Sequence, residues 1–343
     1  MITMKQIAER VGVSVATVSY VLNDSGSVSE KTKKAIMDII NEEGYTPNRI
    51  AKGLRGNRTD TIGVLVEDIT SFQTPRIING INTYMEKKGY HILLSDLGLL
   101  KKTGNDIDKI PDFKEHIKEE AQILISAKVD GIIYIAMHDR NVEDILPELS
   151  IPLVCGYCYS DSHKGIYVTY DNKQISSDIT QMLIDKGHTD IGIIWGRKES
   201  RPAQMRFEGF LTQLEQNGLS VREECTFYGD WEFESGKKAF KKYNKLNKKP
   251  TAIFAMNDLM GLGFMDAALE SGLQLPQDIS VVGFDNRESC QFYRPRLTTV
   301  DVPLEKMGYQ TGKMIADLIQ KKKVAKDDLV LQCKLVERDS VTG

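Results

Sequence analysis

The stretch Gly12-Val13-Ser14-Val15-Ala16-Thr17-Val18-Ser19-Tyr20-Val21-Leu22-Asn23 constrains this chain most, because it reads as a sharp turn followed by a short helix. Upstream, Thr3 and Gln6 have the spacing of a capping box, and Ile7, Ala8 and Val11 recur at helical intervals. Gly12 supplies the backbone freedom that a tight turn between helices needs. Ser14 can cap the second helix. Its Val18, Val21 and Leu22 then point at the first helix, while Ala16, Ser19 and Tyr20 fall on another face. Small Ala8 for close approach, Gly12 for the turn and Val18 for the core together predict a helix-turn-helix with a polar outer face; an inert helical hairpin would share the apolar spacing. A third helix follows, capped by Ser29, with Ala35, Ile36, Ile39 and Ile40 as its buried face and Gly44 at its end.

The string Met4-Lys5-Gln6-Ile7-Ala8-Glu9-Arg10-Val11-Gly12-Val13-Ser14, then Thr17-Val18-Ser19, Val21-Leu22-Asn23 and Gly44-Tyr45-Thr46-Pro47-Asn48, resembles the DNA-binding headpiece of the lactose-repressor (LacI/GalR) family. That resemblance implies that Val15, Ala16 and Tyr20 occupy base-reading positions. Val15 and Ala16 suit thymine methyl groups, and the Tyr20 hydroxyl suits a base edge or phosphate. Periodicity sets Val15 near the buried stripe, so its role rests on the resemblance alone. By the same resemblance Thr3, Ser14, Asn23, Thr32, Tyr45 and Asn48 match phosphate-contacting positions.

Asn48 to Arg55 spans barely two helical turns, with Ile50, Ala51 and Leu54 on one side and Gly53 inside, too little for a helix stable alone in water. The resemblance identifies it as a hinge helix that pairs with its twin and presents Leu54, beside Ala51, to the minor groove, where a wedged leucine kinks the duplex. A flexible linker is the competing reading.

Residues 1–58 carry nine Lys or Arg against six Asp or Glu, a balance of +3, so residues 59–343 must carry −6 to give the stated −3. The positive end coincides with the expected DNA-binding unit, which predicts salt-sensitive association. No run of 18 apolar residues and no charged-then-apolar leader is present, so a soluble, cytoplasmic protein is expected. The five cysteines form no framework. Cys155 and Cys158 make a C-x-x-C without a second pair or a histidine cluster, and free thiols in a core strand are the simpler reading.

From Asp60 onward, short apolar runs (62–66, 91–94, 131–136, 151–155, 191–195, 252–255 and 279–284) alternate with helical stretches such as 77–88, 175–186, 205–216 and 259–271. Alternation of this kind predicts two doubly wound parallel sheets. Leu97 to Ile110 reads as a surface loop, Leu304 to Ile319 as an amphipathic helix and Leu329 to Val336 as a strand. Doubly wound sheets take ligands beyond the carboxyl ends of their strands, which singles out Asp68, Asn257 and Asp285. Each also has a plain alternative, helix capping for Asn257 and an Asx turn for Asp285.

The resemblance extends through Gly187-His188, Met205-Arg206-Phe207-Glu208-Gly209-Phe210, Gly229-Asp230-Trp231, Pro250-Thr251-Ala252-Ile253-Phe254, Asn257-Asp258, Val282-Gly283-Phe284-Asp285-Asn286 and Leu297-Thr298-Thr299-Val300. It implies an α/β two-lobed core like periplasmic sugar-binding proteins, crossed three times, with lobe 1 over 60–169 and 301–325 and lobe 2 over 170–300 and 326–343. An effector would lie in the cleft, touched by Arg206, Asn257, Asp285 and Trp231. A guanidinium, an amide and a carboxylate can bond adjacent hydroxyls while an indole covers a sugar's C–H face. Two departures bear on the ligand. Thr70-Ser71-Phe72-Gln73-Thr74-Pro75 puts Gln73 and Thr74 where relatives carry aromatic cleft residues, which favours a polyhydroxylated ligand over a purine, and Tyr157 falls where the lactose repressor has a carboxylate.

Catalytic patterns fail. Gly308-Tyr309-Gln310-Thr311-Gly312-Lys313 lacks P-loop spacing, and no G-x-G-x-x-G after a strand, H-E-x-x-H or nucleophile elbow is present. The reading is therefore a DNA-binding repressor, not an enzyme, with no cofactor or metal. It would act as a homodimer on a near-palindromic operator, controlled by a small effector, a sugar inducer foremost. The alternatives are a purine-like corepressor or a partner protein acting on the core, and, from another class, a solute-binding protein.

Overall fold

The computed structural model describes residues 2–22, 24–45, 58–104, 106–161, 167–322 and 329–343. The expected contacts Asn23, Asn48, Ala51 and Leu54 lie outside these residues. Two compact units make up the chain, Met1–Asp60 and Thr61–Gly343.

In the first unit, α1 (Met4–Val11), α2 (Val15–Leu22) and α3 (Glu30–Glu42) close on Ile7, Ala8, Val18, Val21, Ile36 and Ile40. The Gln6 amide N–H donates to Thr3 Oγ1 at 3.3 Å and the Thr3 N–H to Gln6 Oε1 at 2.8 Å, completing the capping box. Gly12 ends α1 with φ 72°, a left-handed conformation that glycine adopts without a Cβ penalty. Ser14 Oγ accepts from the Thr17 N–H and Ser29 Oγ from the Thr32 N–H, so both later helices start on a side-chain cap. An Arg10–Glu43 ion pair ties α1 to the end of α3.

The second unit runs β1 (Thr61–Val66), α4 (Thr74–Lys88), β2 (His91–Asp96), α5 (Leu99–Thr103), α6 (Lys114–Ser126), β3 (Gly131–Ile135), β4 (Leu153–Gly156), β5 (Tyr167–Tyr170), α7 (Asn172–Asp185), β6 (Ile191–Trp195) and α8 (Arg201–Gln216). It continues with β7 (Thr226–Tyr228), α9 (Phe233–Tyr243), β8 (Ala252–Ala255), α10 (Asp258–Glu270), β9 (Ser280–Val282), β10 (Thr299–Asp301), α11 (Leu304–Ile319), β11 (Leu329–Leu331) and β12 (Lys334–Val336). One sheet has the order β11-β5-β4-β3-β1-β2 and another β7-β6-β8-β9, both parallel throughout. Parallel strands covered by helices on both faces need unbroken apolar runs. That is why β3 (GIIYI) and β8 (AIFA) are buried along their whole length, while edge strand β2 is half exposed.

Three features depart from expectation. Leu97 to Ile110 is not a plain surface loop: it contains α5, flanked by left-handed Gly98 and Gly104, and its Leu97, Leu99 and Ile110 are buried in the first sheet's outer core. The polar Lys-Lys-Thr-Gly run masks these anchors. Leu329 to Val336 is two strands, because β11 extends the six-stranded sheet beside β5 whereas β12 pairs antiparallel with β10. The sequence pattern also leaves β5, β7 and β10 undistinguished, since each is only three or four residues long and carries Thr or Tyr. All five cysteines are free thiols, with Cys155 and Cys158 both buried. Among the described residues no helix is long and apolar enough to cross a membrane.

Helices α4 and α11 approach through glycine. A Cβ on Gly80 would sit 2.0 Å from the Glu305 carbonyl oxygen, and one on Gly308 would sit 1.9 Å from that of Ile77. Backbone thus meets backbone, and no rotamer change can relieve an added methyl. Gly80→Ala is expected to destabilise the core by about 1–3 kcal/mol through overpacking, outweighing any gain in helix propensity; the midpoint of urea unfolding measures it.

Candidate functional site

In each parallel sheet the chain runs first to one side of its opening strand and then to the other. The resulting switch points lie between β1 and β3 and between β6 and β8, where helices diverge and leave a crevice at the strands' carboxyl ends. A cavity of about 310 Å³ opens there, lined from both sheets by residues following β1, β3, β4, β6, β8 and β9.

The first sheet's share is held by Glu67, which is fully buried. Its carboxylate accepts from the Tyr134 hydroxyl at 2.6 Å, the Met137 N–H at 2.8 Å and both terminal nitrogens of Arg140, one at 3.0 Å. Four donors on one carboxylate compensate its burial and clamp the loop bearing Met137, His138 and Asp139. Burial lowers His138 to about 4, so its imidazole is neutral near pH 7. Asp139 is 5% exposed; Thr169 donates to Oδ2 at 3.4 Å, and Oδ1 has no partner. Burial raises its carboxyl pKa, and Arg201 and Arg206 pull it back.

From the second sheet comes Arg206, 3% exposed on α8. Its Nε donates to Asn172 Oδ1 at 2.8 Å, one terminal nitrogen to the Met256 carbonyl and the other to the Tyr170 hydroxyl at 3.0 Å, while the Phe284 ring lies 3.5 Å beneath the guanidinium carbon. Trp231 covers Gly196, where any Cβ would fall 2.0 Å from the indole, and Asn257 donates from Nδ2 to the Trp231 carbonyl at 2.7 Å. Asn257 also caps α10 by accepting from the Met260 N–H at 2.9 Å, so its capping role and its place at the cleft coexist. Tyr157, Trp231 and Asp285 all have left-handed backbones, with φ of 59°, 77° and 119°. Three such residues lining one cavity, each costing on the order of 1–3 kcal/mol, mark a strained site.

Of the residues singled out in the sequence, Gln73, Tyr157, Arg206, Trp231, Asn257 and Asp285 line the cavity together. Gln73 also donates from Nε2 to the Met137 carbonyl. Asp68 does not line it: its carboxylate accepts from the Thr70 N–H at 2.9 Å and the Leu100 N–H at 3.0 Å, fixing the β1 exit to α5. Thr74 is buried at the first turn of α4, outside the lining. Asp139, His138, Ser200 and Phe72 were not singled out, although Asp139 follows β3 by the same rule that selected Asp68. In the first unit Ala16 and Tyr20 are exposed, Tyr20 by 50%, and Val15 is half-buried against the headpiece core. Thr3 and Ser14 are exposed caps, while Thr32 and Tyr45 are half-buried, Tyr45 packing on that core.

Residues 3–48 match the model of bacterial regulatory proteins of the lacI family, and residues 180–341 match a periplasmic binding protein-like domain. The transcriptional repressor PurR of Pectobacterium carotovorum is 35% identical over 347 residues, covering 99% of this chain and 97% of that protein. This chain belongs to the lacI family. It is a DNA-binding transcriptional repressor with a two-lobed core. Among solved structures, the lac repressor dimer bound to operator and the anti-inducer ONPF superposes with a TM-score of 0.81 at 26% identity, covering 100% of this chain and 99% of that one. The regulator CelR in complex with cellobiose gives 0.67 at 27% identity, covering 99% and 100%.

Behind the cleft, Asp258 accepts from Thr299 Oγ1 at 2.5 Å and the Arg287 N–H at 2.7 Å. Burial, then the charge of Asp285, pushes its carboxyl up to about 7, and burial likewise raises Asp285. The folded state therefore holds a proton more tightly than the unfolded chain does. The stabilisation this gives is full below about pH 4 and is lost as pH rises through about 7. Asp285→Asn removes the neighbouring charge, so its melting temperature relative to wild type is expected to be higher at pH 8 than at pH 5.5, by on the order of 2–4 °C for ~1 kcal/mol; thermal scans at the two pH values measure it.

Proposed function

We propose that this repressor binds a near-palindromic operator as a homodimer and releases it when a sugar occupies the cleft. The observation that carries the sugar reading is the cavity's polar inventory: Asp285 and the unpartnered Oδ1 of Asp139 can accept hydroxyl hydrogens, Arg206 and Asn257 flank them, and the Trp231 indole offers a face for C–H groups. CelR's complex with cellobiose supports it. Gln73 in place of an aromatic supports it further, since an amide bonds a hydroxyl and offers no stacking plane. The second reading, a purine-type corepressor, draws on the PurR relatives and on Phe72 and Tyr157, which also line the cavity.

On the DNA side, Val15, Ala16 and Tyr20 are assigned to bases and Thr3, Ser14, Asn23, Thr32, Tyr45 and Asn48 to phosphates, with Ala51 and Leu54 at the minor groove. The exposed Tyr20 side chain on α2 supports this for the first set. For the dimer, edge strand β2 exposes Leu93 and Leu94 by 39% and 40%, and α6 beside it exposes Ile123 by 57%. An apolar edge of that kind is normally covered. The lobes are proposed to shift around the ligand and so change the separation of the two hinge segments, which couples sugar binding to DNA release.

Operator affinity of the purified protein at fixed salt, with and without a saccharide panel, tests the reading. One sugar is expected to weaken binding, and tightening by a nucleobase with no effect of any sugar would replace it with the corepressor reading. Tyr20→Ala should cost operator affinity about five- to 150-fold, the ~1–3 kcal/mol of a base contact, with effector binding intact by calorimetry. Leu94→Asp should shift the protein toward monomer in sedimentation and weaken operator binding with it.

A further inference from the structure

The cleft continues past Asp139 into a second chamber of about 260 Å³, which shares His138, Asp139, Ser200 and Trp231 with the first and adds Arg140, Tyr159, Arg197, Glu199 and Arg201. Each chamber lies near the lower end of the roughly 300–1,000 Å³ range of ligand pockets, so a one-ring ligand fills one and leaves the other to water.

Two polar groups at the junction are held in place without being used. Asp139 is nine-tenths buried, and its Oδ1 has no hydrogen-bond partner. The Arg201 guanidinium carbon lies over the Tyr159 ring, 4.2 Å from its centroid, and, among the described residues, Arg201 makes no hydrogen bond or ion pair. The cation–π contact holds the guanidinium at the chamber wall that Arg201 lines, with its donors unpaired. Asp139 and Arg201 are close enough for the cation to lower the acid's pKa, yet they do not bond each other. An acceptor and a donor fork that do not pair with each other suit hydroxyl groups, which both donate and accept hydrogen bonds.

Charge separates this from a phosphate or carboxylate site. The Arg140 charge is already spent on Glu67. Arg197 and Arg201 are then balanced by Asp139 and Glu199 in the same chamber, and a buried carboxylate next to the guanidinium repels an anion. A neutral polyol meets no such penalty.

We propose that Asp139 and Arg201 form a second sugar subsite, which makes the effector a disaccharide or longer saccharide with one ring in each chamber and Trp231 bordering both. This rests on the sugar reading of the cleft. Calorimetric titration of the full-length protein with glucose, galactose, cellobiose, maltose, lactose and sucrose, together with glucose 6-phosphate and hypoxanthine, tests it. The expected result is a disaccharide that binds at least about tenfold tighter than its component monosaccharides, with that ratio falling below about threefold in Arg201→Met and in Asp139→Asn. A monosaccharide or glucose 6-phosphate that matches every disaccharide overturns the subsite while leaving a small-molecule cleft in place. Binding of hypoxanthine with no saccharide overturns the sugar reading itself. Thermal scans identify a variant that fails to fold, and the wild-type ratio alone then decides; a folded Arg201→Met that keeps the ratio also overturns the assignment.

Discussion

The core is arranged around keeping the guanidinium of Arg206, only 3% exposed, in a fixed position. Its partners are an amide oxygen, a backbone carbonyl, a phenol and a phenyl face, contributed by the β5–α7 junction, the exit of β8 and the residues after β9. None of these carries a formal charge, so the positive field is not cancelled at its source. It extends into the cleft, where it opposes the rise in pKa that burial imposes on Asp139 and Asp285. The cleft thereby holds two acids that Arg206 moderates without pairing with either, while Asp285 is also 3.8 Å from Arg287.

The opposite wall is built on another economy. Glu67 is buried beneath the β1–β3 switch point with four donors, so the loop that presents His138 and Asp139 is fixed before any ligand arrives. The price of strain is concentrated at Tyr157, Trp231 and Asp285, whose left-handed backbones aim side chains inward from three separate strand ends. Preorganisation of this kind reduces the ordering cost of binding.

Most of the architecture was legible because period and topology are carried by apolar runs: β1, β3, β6 and β8 announce themselves, and α11 was delimited by its amphipathic spacing alone. The headpiece was legible through its caps, since Thr3, Ser14 and Ser29 do in the structure what their chemistry suggests. The site was only partly so. The rule that ligands gather at strand ends selects positions without saying which side chains turn inward. Asp68 satisfies that rule, yet its carboxylate bonds the backbone of its own loop and of α5, while Asp139 satisfies it equally and faces the cavity. The difference lies in long-range contacts, above all the Glu67–Arg140 pair across 73 residues, which no local pattern encodes. Leu97 to Ile110 was obscured in the same way, its anchoring residues separated by a lysine-rich helix surface.

The glycine contact between α4 and α11 has a mechanical side. Surfaces separated by side chains can glide, because rotamers exchange as they move; backbones locked at Gly80 and Gly308 mesh like gear teeth and do not slip. Because α11 begins three residues after β10, which is paired with β12 and linked through Asp301 to Arg76 of α4, displacement arriving along that crossing is handed to both helices at once. Helices α4 and α11 therefore behave as a single element, to which β10 is tied through the Asp301–Arg76 pair.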